Sequence, residues 1–216
     1  MGAASAKARP FRGAASFLPE KRTLPVLRNA VQSCRGCDLY RHATQAVFGE
    51  GPKKARLVFI GEQPGNEEDM KGHPFVGPAG GLLDRALADA SIDRAEVYVT
   101  NVVKHFKFEE RGKRRIHEKP RIGEIKACEP WLEAEIDLIQ PEVIICLGAT
   151  AAQTLLGAKF RLTKSRGVPL DHPWAPHVVA TVHPSAILRA PDAAQRHEEY
   201  SRFVADLKAA RTLLIT

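Results

Sequence analysis

The segment RLVFIGEQPG, residues 56–65, is an apolar run that ends at a polar turn flanked by Gly61 and Gly65. Runs of the same kind, rich in valine and isoleucine, occur three more times: EVYVTN (96–101), EVIICLG (142–148) and HVVATV (177–182). They are continuous rather than alternating, which is typical of parallel strands covered on both faces. Each run therefore predicts a buried strand of a parallel sheet.

Helical patterns alternate with these strands, in residues 24–33, 79–90, 121–139, 149–157 and 193–212. Strands alternating with helices imply right-handed crossovers with helices on both faces. The sequence predicts an α/β fold, a three-layer α/β/α sandwich with a central, mainly parallel four-stranded sheet. We expect residues 24–216 to form a single domain, and residues 1–23, which lack an apolar signal segment, to form a flexible tail.

Composition and charge narrow the class of protein. The chain has 44% hydrophobic and 26% charged residues, typical of a soluble protein, and no apolar run long enough to span a bilayer. We therefore expect a cytoplasmic protein without a membrane partner. Of the net charge of +7, much lies between residues 104 and 126, where nine lysines and arginines face four glutamates. This excess indicates a polyanionic partner such as nucleic acid, with a solvated charged face as the alternative.

The four cysteines are Cys34, Cys37, Cys128 and Cys146. Disulfides are disfavoured in a cytosolic chain, and the C-x2-C spacing of the first two suits one soft metal centre. Four thiolates could bind zinc or a four-iron cluster. The alternative is four unrelated buried thiols, since Cys146 within EVIICLG would by itself be taken for a core residue.

The strand ends predict where a ligand binds, because sites in such folds lie beyond the carboxyl ends of the strands. Polar loops follow the first, second and fourth strands, so Glu62, Asn101, His117 and His183 are expected to converge. The loop after the third strand is expected to be structural. Glu67 and Glu68 are expected to be solvated.

Each candidate side chain has a chemical use and a structural alternative. The Glu62 carboxylate could stabilise a cation or only cap a turn, and Phe75 could stack on a flat ring or lie in the core. The Asn101 amide could complement the edge of a pyrimidine or cap its strand. His183 could donate to a ring oxygen or be a satisfied core histidine, and Ser185 could bind phosphate.

Together the motifs GEQPG, NEEDMKGHPFVGPAGGLLD, TNVVKH and VHPSAILR, with the cysteine pattern, resemble the iron–sulfur uracil-DNA glycosylases from about residue 31 to the last helix. The resemblance implies excision of uracil from DNA and a [4Fe-4S] cluster, rather than zinc, on Cys34, Cys37, Cys128 and Cys146. It implies catalytic roles for Glu62 and His183. It implies substrate-binding roles for a larger set: Gln63, Gly65, Asp69, Phe75, Asn101, Arg115, Ser185 and Arg189.

The segment HFKFEERGKRRIHEKP, residues 105–120, resembles the loop of the UdgX subfamily, whose members become covalently attached to DNA. The resemblance implies that His117 captures the sugar C1′ in a single turnover on uracil-containing DNA, preferably single-stranded. The cationic loop would disfavour imidazolium and its arginines would hold DNA phosphates. Glu62 or Gln63 would orient the ring, and we expect a monomer.

Three other functions stay open. In a turnover glycosylase, water would attack the sugar and His117 would only help to bind DNA. A non-catalytic module would recognise uracil and leave the glycosidic bond intact. An iron–sulfur redox protein is a further alternative, against which the basic loop and the GEQPG and HPSAILR motifs argue.

Overall fold

The computed structural model describes residues 12–214 and is built around a sheet with the strand order β2-β1-β5-β7-β6. Within the described residues the strands are β1 (Leu57–Gly61), β2 (Val97–Asn101), β3 (Phe108–Arg111), β4 (Arg114–His117), β5 (Val143–Leu147), β6 (Leu170–His172) and β7 (Ala175–Thr181). The α-helices of the same part are α1 (Leu24–Val31), α2 (Asn66–Lys71), α3 (Pro78–Asp89), α4 (Ile122–Ile139), α5 (Ala149–Leu156), α6 (Leu162–Ser165), α7 (Pro184–Leu188) and α8 (Ala193–Arg211).

The central sheet confirms the predicted parallel strands and adds one. Strands β2, β1, β5 and β7 pair in parallel, so Gly61, at the end of β1, lies beside Asn101, at the end of β2. Strand β6 pairs antiparallel with β7 through an irregular register, which makes the sheet five-stranded rather than four-stranded. Its three residues form too short and too polar a run to be recognised as a strand in the sequence.

The layers follow from the alternation of side chains along each strand. On β1, Val58 and Ile60 face the core that contains α1 and α4, whereas Leu57 and Phe59 face the core that contains α3 and α8. Both faces of the sheet are therefore covered, as the continuous apolar runs predict, and the three-layer α/β/α sandwich is confirmed. No helix among residues 12–214 is both long and apolar enough to cross a membrane.

The beginning of the described chain packs against the domain. Ala14 is fully buried, and its amide donates to the carbonyl of Ala127 at 2.7 Å. The amide of Gly13 donates to the carbonyl of Gly36 at 3.1 Å. The predicted tail of residues 1–23 is therefore corrected, since its part from Gly13 belongs to the packed domain. Residues 1–11 lie outside the described residues.

The basic segment expected to be a loop contains an antiparallel hairpin, β3–β4, in which Phe108 pairs with His117 and Arg111 with Arg114. Gly112 in the turn has a φ of 61°, a left-handed conformation that glycine adopts without strain. The sequence pattern hides this hairpin because its strands are short and carry mostly charged side chains. Its effect is to fix His117 at the end of a strand.

Candidate active site

A cavity of about 720 Å³ lies at the carboxyl ends of the parallel strands. Most of the predicted site residues line it, and they come from four separate loops and the hairpin. These residues are Glu62, Gln63, Gly65, Phe75, Asn101, His117, His183, Ser185 and Arg189. The structure therefore confirms the predicted convergence of four residues, Glu62, Asn101, His117 and His183.

One wall of the cavity is aromatic and amide in character. The rings of Phe75 and His183 are stacked, with centroids 6.1 Å apart and planes inclined by 27°. A Cβ on Gly61 would lie 2.3 Å from Asn101 Oδ1 and 2.8 Å from Phe75 Cζ, so only glycine lets both side chains approach the end of β1. Within the described part of the chain, no donor reaches the buried Oδ1 of Asn101. An unsatisfied buried acceptor beside a flat ring is suited to a planar ligand with an N–H group.

Glu68 joins the two loops that form this wall. Its carboxylate accepts the amide of Gly65 at 3.0 Å and the amide of Gly77 at 2.8 Å, and its side chain is buried. The expectation of a solvated Glu68 is therefore wrong. The signal in the sequence is its third position in helix α2, where a glutamate can reach back to the residue before the helix. By holding both loops, Glu68 positions Gln63 and Phe75 indirectly.

His183 is held in one tautomer. Its Nδ1 accepts the amide of Ser185 at 3.1 Å and lies 2.8 Å from the Ser185 hydroxyl, which places the proton of the neutral ring on Nε2. Burial, with smaller contributions from Arg189 and His117, lowers the pKa of His183 to about 4. Near neutral pH the ring is therefore an uncharged donor. Ser185 orients this imidazole, and its predicted binding of phosphate stays a prediction.

The carboxylate of Glu62 is shared between two partners. Oε2 accepts a short hydrogen bond from the Thr150 hydroxyl, and Oε1 lies 3.3 Å from Nε2 of His117. Thr150 lies at the start of α5, so the loop after the third predicted strand is part of the site and not only structural. Because one oxygen of Glu62 is fixed by Thr150, the other is directed at the imidazole.

Gln63 fastens the base of the hairpin. Its Nε2 donates to the carbonyls of Lys107 at 3.1 Å and Glu118 at 3.0 Å, and its Oε1 accepts the amide of Lys107 at 3.1 Å. These two residues lie immediately before β3 and after β4. Gln63 therefore fixes where His117 stands, although its side chain makes no hydrogen bond to the ring among the contacts of the described residues.

A second contact that holds the hairpin in place is the ion pair of Arg115 and Asp69, which do not line the cavity. Arg115 donates to the fully buried Asp69 at 2.6 Å and to Asn66 at 2.7 Å, and its guanidinium lies 5.0 Å from the centre of the Phe108 ring. The carboxylate of Asp69 also accepts the amide of Thr44 at 3.0 Å. The pair therefore anchors the hairpin, and the substrate-binding roles of Arg115 and Asp69 stay predictions.

Three of the cysteines occupy one buried region. The pKa of Cys37 is raised to about 11, chiefly by burial, and that of Cys128 to about 12, with Cys34 adding to the shift in both cases. Cys34 Sγ lies 3.2 Å from the indole Nε1 of Trp131, and Cys128 Sγ lies 3.3 Å from the amide of Lys104. Buried thiolates with N–H donors nearby fit an iron–sulfur cluster, which offsets their charge and is tuned by such hydrogen bonds.

Cys146 stands apart from these three. It pairs with Ile60 and Ala180 within the sheet, and burial alone raises its pKa to about 12, with no contribution from another cysteine. Among residues 12–214, no three histidine, cysteine or carboxylate side chains are gathered closely enough to hold one metal ion.

Comparison with known proteins agrees with this geometry. The family model described as the uracil DNA glycosylase superfamily matches residues 48–208. The chain belongs to this superfamily. It is 39% identical over 193 residues to a type-4 uracil-DNA glycosylase of Thermotoga maritima, covering 88% of this chain and 94% of that protein. It is 36% identical over 184 residues to the type-4 enzyme of Archaeoglobus fulgidus, covering 82% and 89%.

A more distant member of the superfamily is also similar. The type-5 uracil-DNA glycosylase of Thermus thermophilus is 30% identical over 159 residues, covering 64% of this chain and 68% of that protein. The superfamily match begins at residue 48 and therefore includes the cavity and the hairpin, whereas Cys34 and Cys37 precede it.

Proposed function

We propose that this member of the superfamily excises uracil from DNA and then binds the sugar covalently through His117. The observation that carries the proposal is the distance of 3.3 Å between His117 Nε2 and Glu62 Oε1, beside a cavity suited to a flat base. A nucleophile beside an activating carboxylate is the arrangement that covalent capture of a sugar carbon requires. The resemblance of residues 105–120 to the UdgX loop supports the same assignment.

Base recognition falls to Asn101 and Phe75. Asn101 Oδ1 is the acceptor for the N3–H of uracil, its amide nitrogen donates to O4, and Phe75 stacks on the ring. Cytosine carries an acceptor at N3 and an amino group at C4, so it presents the opposite pattern and leaves buried polar groups unpaired. The base reaches this wall only when it is flipped out or already single-stranded.

Bond cleavage uses two fixed groups of opposite character. The N-glycosidic bond breaks heterolytically, and its electron pair stays on N1 of uracil. The neutral His183 donates through Nε2 to the developing uracil anion, while Glu62 stabilises the oxocarbenium ion at C1′. Because His183 carries no charge before the reaction, its hydrogen bond strengthens only as negative charge develops.

Capture follows at the same carbon. Glu62 accepts the Nε2 proton when the ring starts as imidazolium, and the Nε2 lone pair of the neutral ring, whose proton is then on Nδ1, forms a bond to C1′. The product is an alkylated imidazolium, which loses its Nδ1 proton to solvent and becomes a neutral, poor leaving group. Water cannot readily replace it, so each protein molecule reacts once.

The test is an adduct that survives denaturation. Wild-type protein is mixed with a uracil-containing single-stranded oligonucleotide, boiled in SDS and separated on a denaturing gel, with free uracil assayed in the same tube. We expect one shifted band for wild type, none for His117→Ser, and uracil release by both. His197→Ala, an exposed histidine on α8, is the matched control and should form the adduct normally.

Other outcomes would identify the alternatives. Uracil release over many turnovers without a shifted band would show that water completes the reaction and that His117 only helps to bind DNA. Stoichiometric binding without release of uracil would contradict glycosylase activity and leave a passive uracil-binding module.

The cysteine region is proposed to hold a [4Fe-4S] cluster on Cys34, Cys37 and Cys128, with a structural role. Such a cluster would join the loop after α1 to helix α4. For the fourth ligand of the cluster, the surroundings of His105 support that residue better than the surroundings of Cys146 support the predicted cysteine. His105 is buried and directly follows Lys104, whose amide lies beside the sulfur of Cys128. The charge of Asp69 acts on the His105 ring, and Asp69 also accepts the amide of Thr44, in the loop after Cys37.

Iron analysis tests the ligand set. Iron and acid-labile sulfide per chain should fall for Cys128→Ser, and should fall for His105→Ala more than for Cys146→Ser. Equal iron content in wild type and Cys128→Ser would contradict the cluster. Loss of iron in Cys146→Ser but not in His105→Ala would show that Cys146 is the fourth ligand.

We further propose that single-stranded uracil-containing DNA is preferred and that the protein acts in the cytoplasm as a monomer. The exposed hairpin beside the cavity supports a substrate whose base is already unstacked, since a duplex requires flipping first. Adduct yield on matched single- and double-stranded oligonucleotides tests the preference, and light scattering of the free protein tests the monomer.

A further inference from the structure

A fully buried ion pair, Lys104–Glu135, lies beside the end of strand β2, which carries Asn101. Lys104 and Glu135 both have side-chain exposures of 0%, and the ammonium and carboxylate form a short contact. Replacing such pairs by apolar residues often leaves stability unchanged or raises it, so stability alone does not explain a charged pair in the core. The partners of the pair indicate what it positions.

All three hydrogens of the Lys104 ammonium have acceptors. Besides Glu135, they are the Thr100 hydroxyl at 2.7 Å and the backbone carbonyl of Asn101 at 2.8 Å. Thr100 and Asn101 are the last two residues of β2, and Asn101 carries the unsatisfied Oδ1 of the cavity. The lysine therefore fixes the peptide from which the base-reading amide projects.

Glu135 neutralises the lysine and connects it to the surrounding elements. It accepts the amide of Gly49 at 2.8 Å, the Tyr98 hydroxyl at 2.9 Å and the Thr100 hydroxyl at 3.0 Å. The backbone of Lys104 is held as well, because its amide lies 3.3 Å from Cys128 Sγ. The lysine is thus fixed from β2, from α4 and from the loop before β1.

We infer that Lys104 is a positioning residue for uracil recognition: its ammonium, neutralised by Glu135, holds the end of β2 so that the Asn101 amide meets the base. The inference rests on the proposed recognition of uracil by Asn101. It adds that affinity for the base depends on a buried charge pair that never touches the base. Misplacing one directional hydrogen bond weakens binding even when the cavity keeps its volume.

The experiment removes both charges at once, because removing one leaves the other buried without a partner. In Lys104→Met/Glu135→Gln, the glutamine still offers an acceptor to Gly49 and Tyr98. The measurement is the dissociation constant of free uracil by calorimetry on folded protein of normal iron content. We expect it to rise about tenfold, the effect of losing one well-aligned hydrogen bond. Binding to uracil-free DNA should not change.

The control is a partly buried charge pair, Arg166→Met/Asp206→Asn, which has hydrogen bonds away from β2. A purely structural role would change at most the melting temperature of the double variants and leave the uracil affinity of the folded molecules unchanged. That result would overturn the inference. If the Lys104 double variant does not fold, Thr100→Val keeps both charges and removes one acceptor of the ammonium at the end of β2, and an unchanged uracil affinity in it would also overturn the inference. Absence of uracil binding and release in wild type would instead refute the proposed function.

Discussion

At the scale of single residues, the two imidazoles of the cavity differ in what surrounds them. His183 is buried, its Nδ1 accepts from Ser185, and its pKa is lowered to about 4, whereas His117 is half-exposed beside a carboxylate. In the proposed mechanism uracil release needs neutral His183, so in His117→Ser we expect the single-turnover rate of release to vary less than about threefold from pH 7 to about pH 5. A fall centred near the ordinary histidine value of about 6.5 would contradict this role. The lowered pKa of His183 also makes the free energy of unfolding depend on pH. Below pH about 6.5, His183 binds a proton in the unfolded chain but not in the folded one. Its contribution to the free energy of unfolding is therefore present above that pH and decreases as the pH falls toward 4, which urea titrations of wild type and His183→Gln can compare.

At the scale of elements, the hairpin β3–β4 carries His117, so the proposed capture of the sugar depends on how the hairpin is held. Arg115 holds it through Asp69 and Asn66, a forked geometry that lysine cannot reproduce. Arg115→Lys should therefore lower the rate of adduct formation about tenfold, with uracil release nearly unchanged, whereas the exposed Arg114→Ala should leave both rates within about twofold. If release falls in parallel with capture, the hairpin does not act on His117 alone. The sequence predicts the buried strands because continuous apolar runs have few other uses, and it predicts which loops meet because parallel strands end at one edge. It does not predict the hairpin or its fastening, because those depend on side chains 46 and 49 positions apart that meet only after folding.

At the scale of the whole molecule, the basic side chains fall into two groups. Some form ion pairs within the fold, and others are exposed and can contact DNA phosphates. Within residues 12–214, Lys113, Arg114 and Lys119 form no ion pair, and all three are exposed on or beside the hairpin. Each phosphate that they neutralise releases counterion, so the logarithm of the affinity for single-stranded DNA should fall with the logarithm of the salt concentration. Removing Lys113 and Arg114 together should reduce the magnitude of that slope by about 0.7 for each cation. Lys53→Ala/Lys54→Ala removes the same charge from the loop before β1, at the opposite end of the strands, and should lower affinity only slightly without changing the slope. Fluorescence anisotropy with a uracil-free oligonucleotide measures both variants without adduct formation. Equal slopes in the two variants would mean that DNA is attracted by net charge as a whole, whereas a loss confined to the hairpin variant would place the phosphate backbone beside His117.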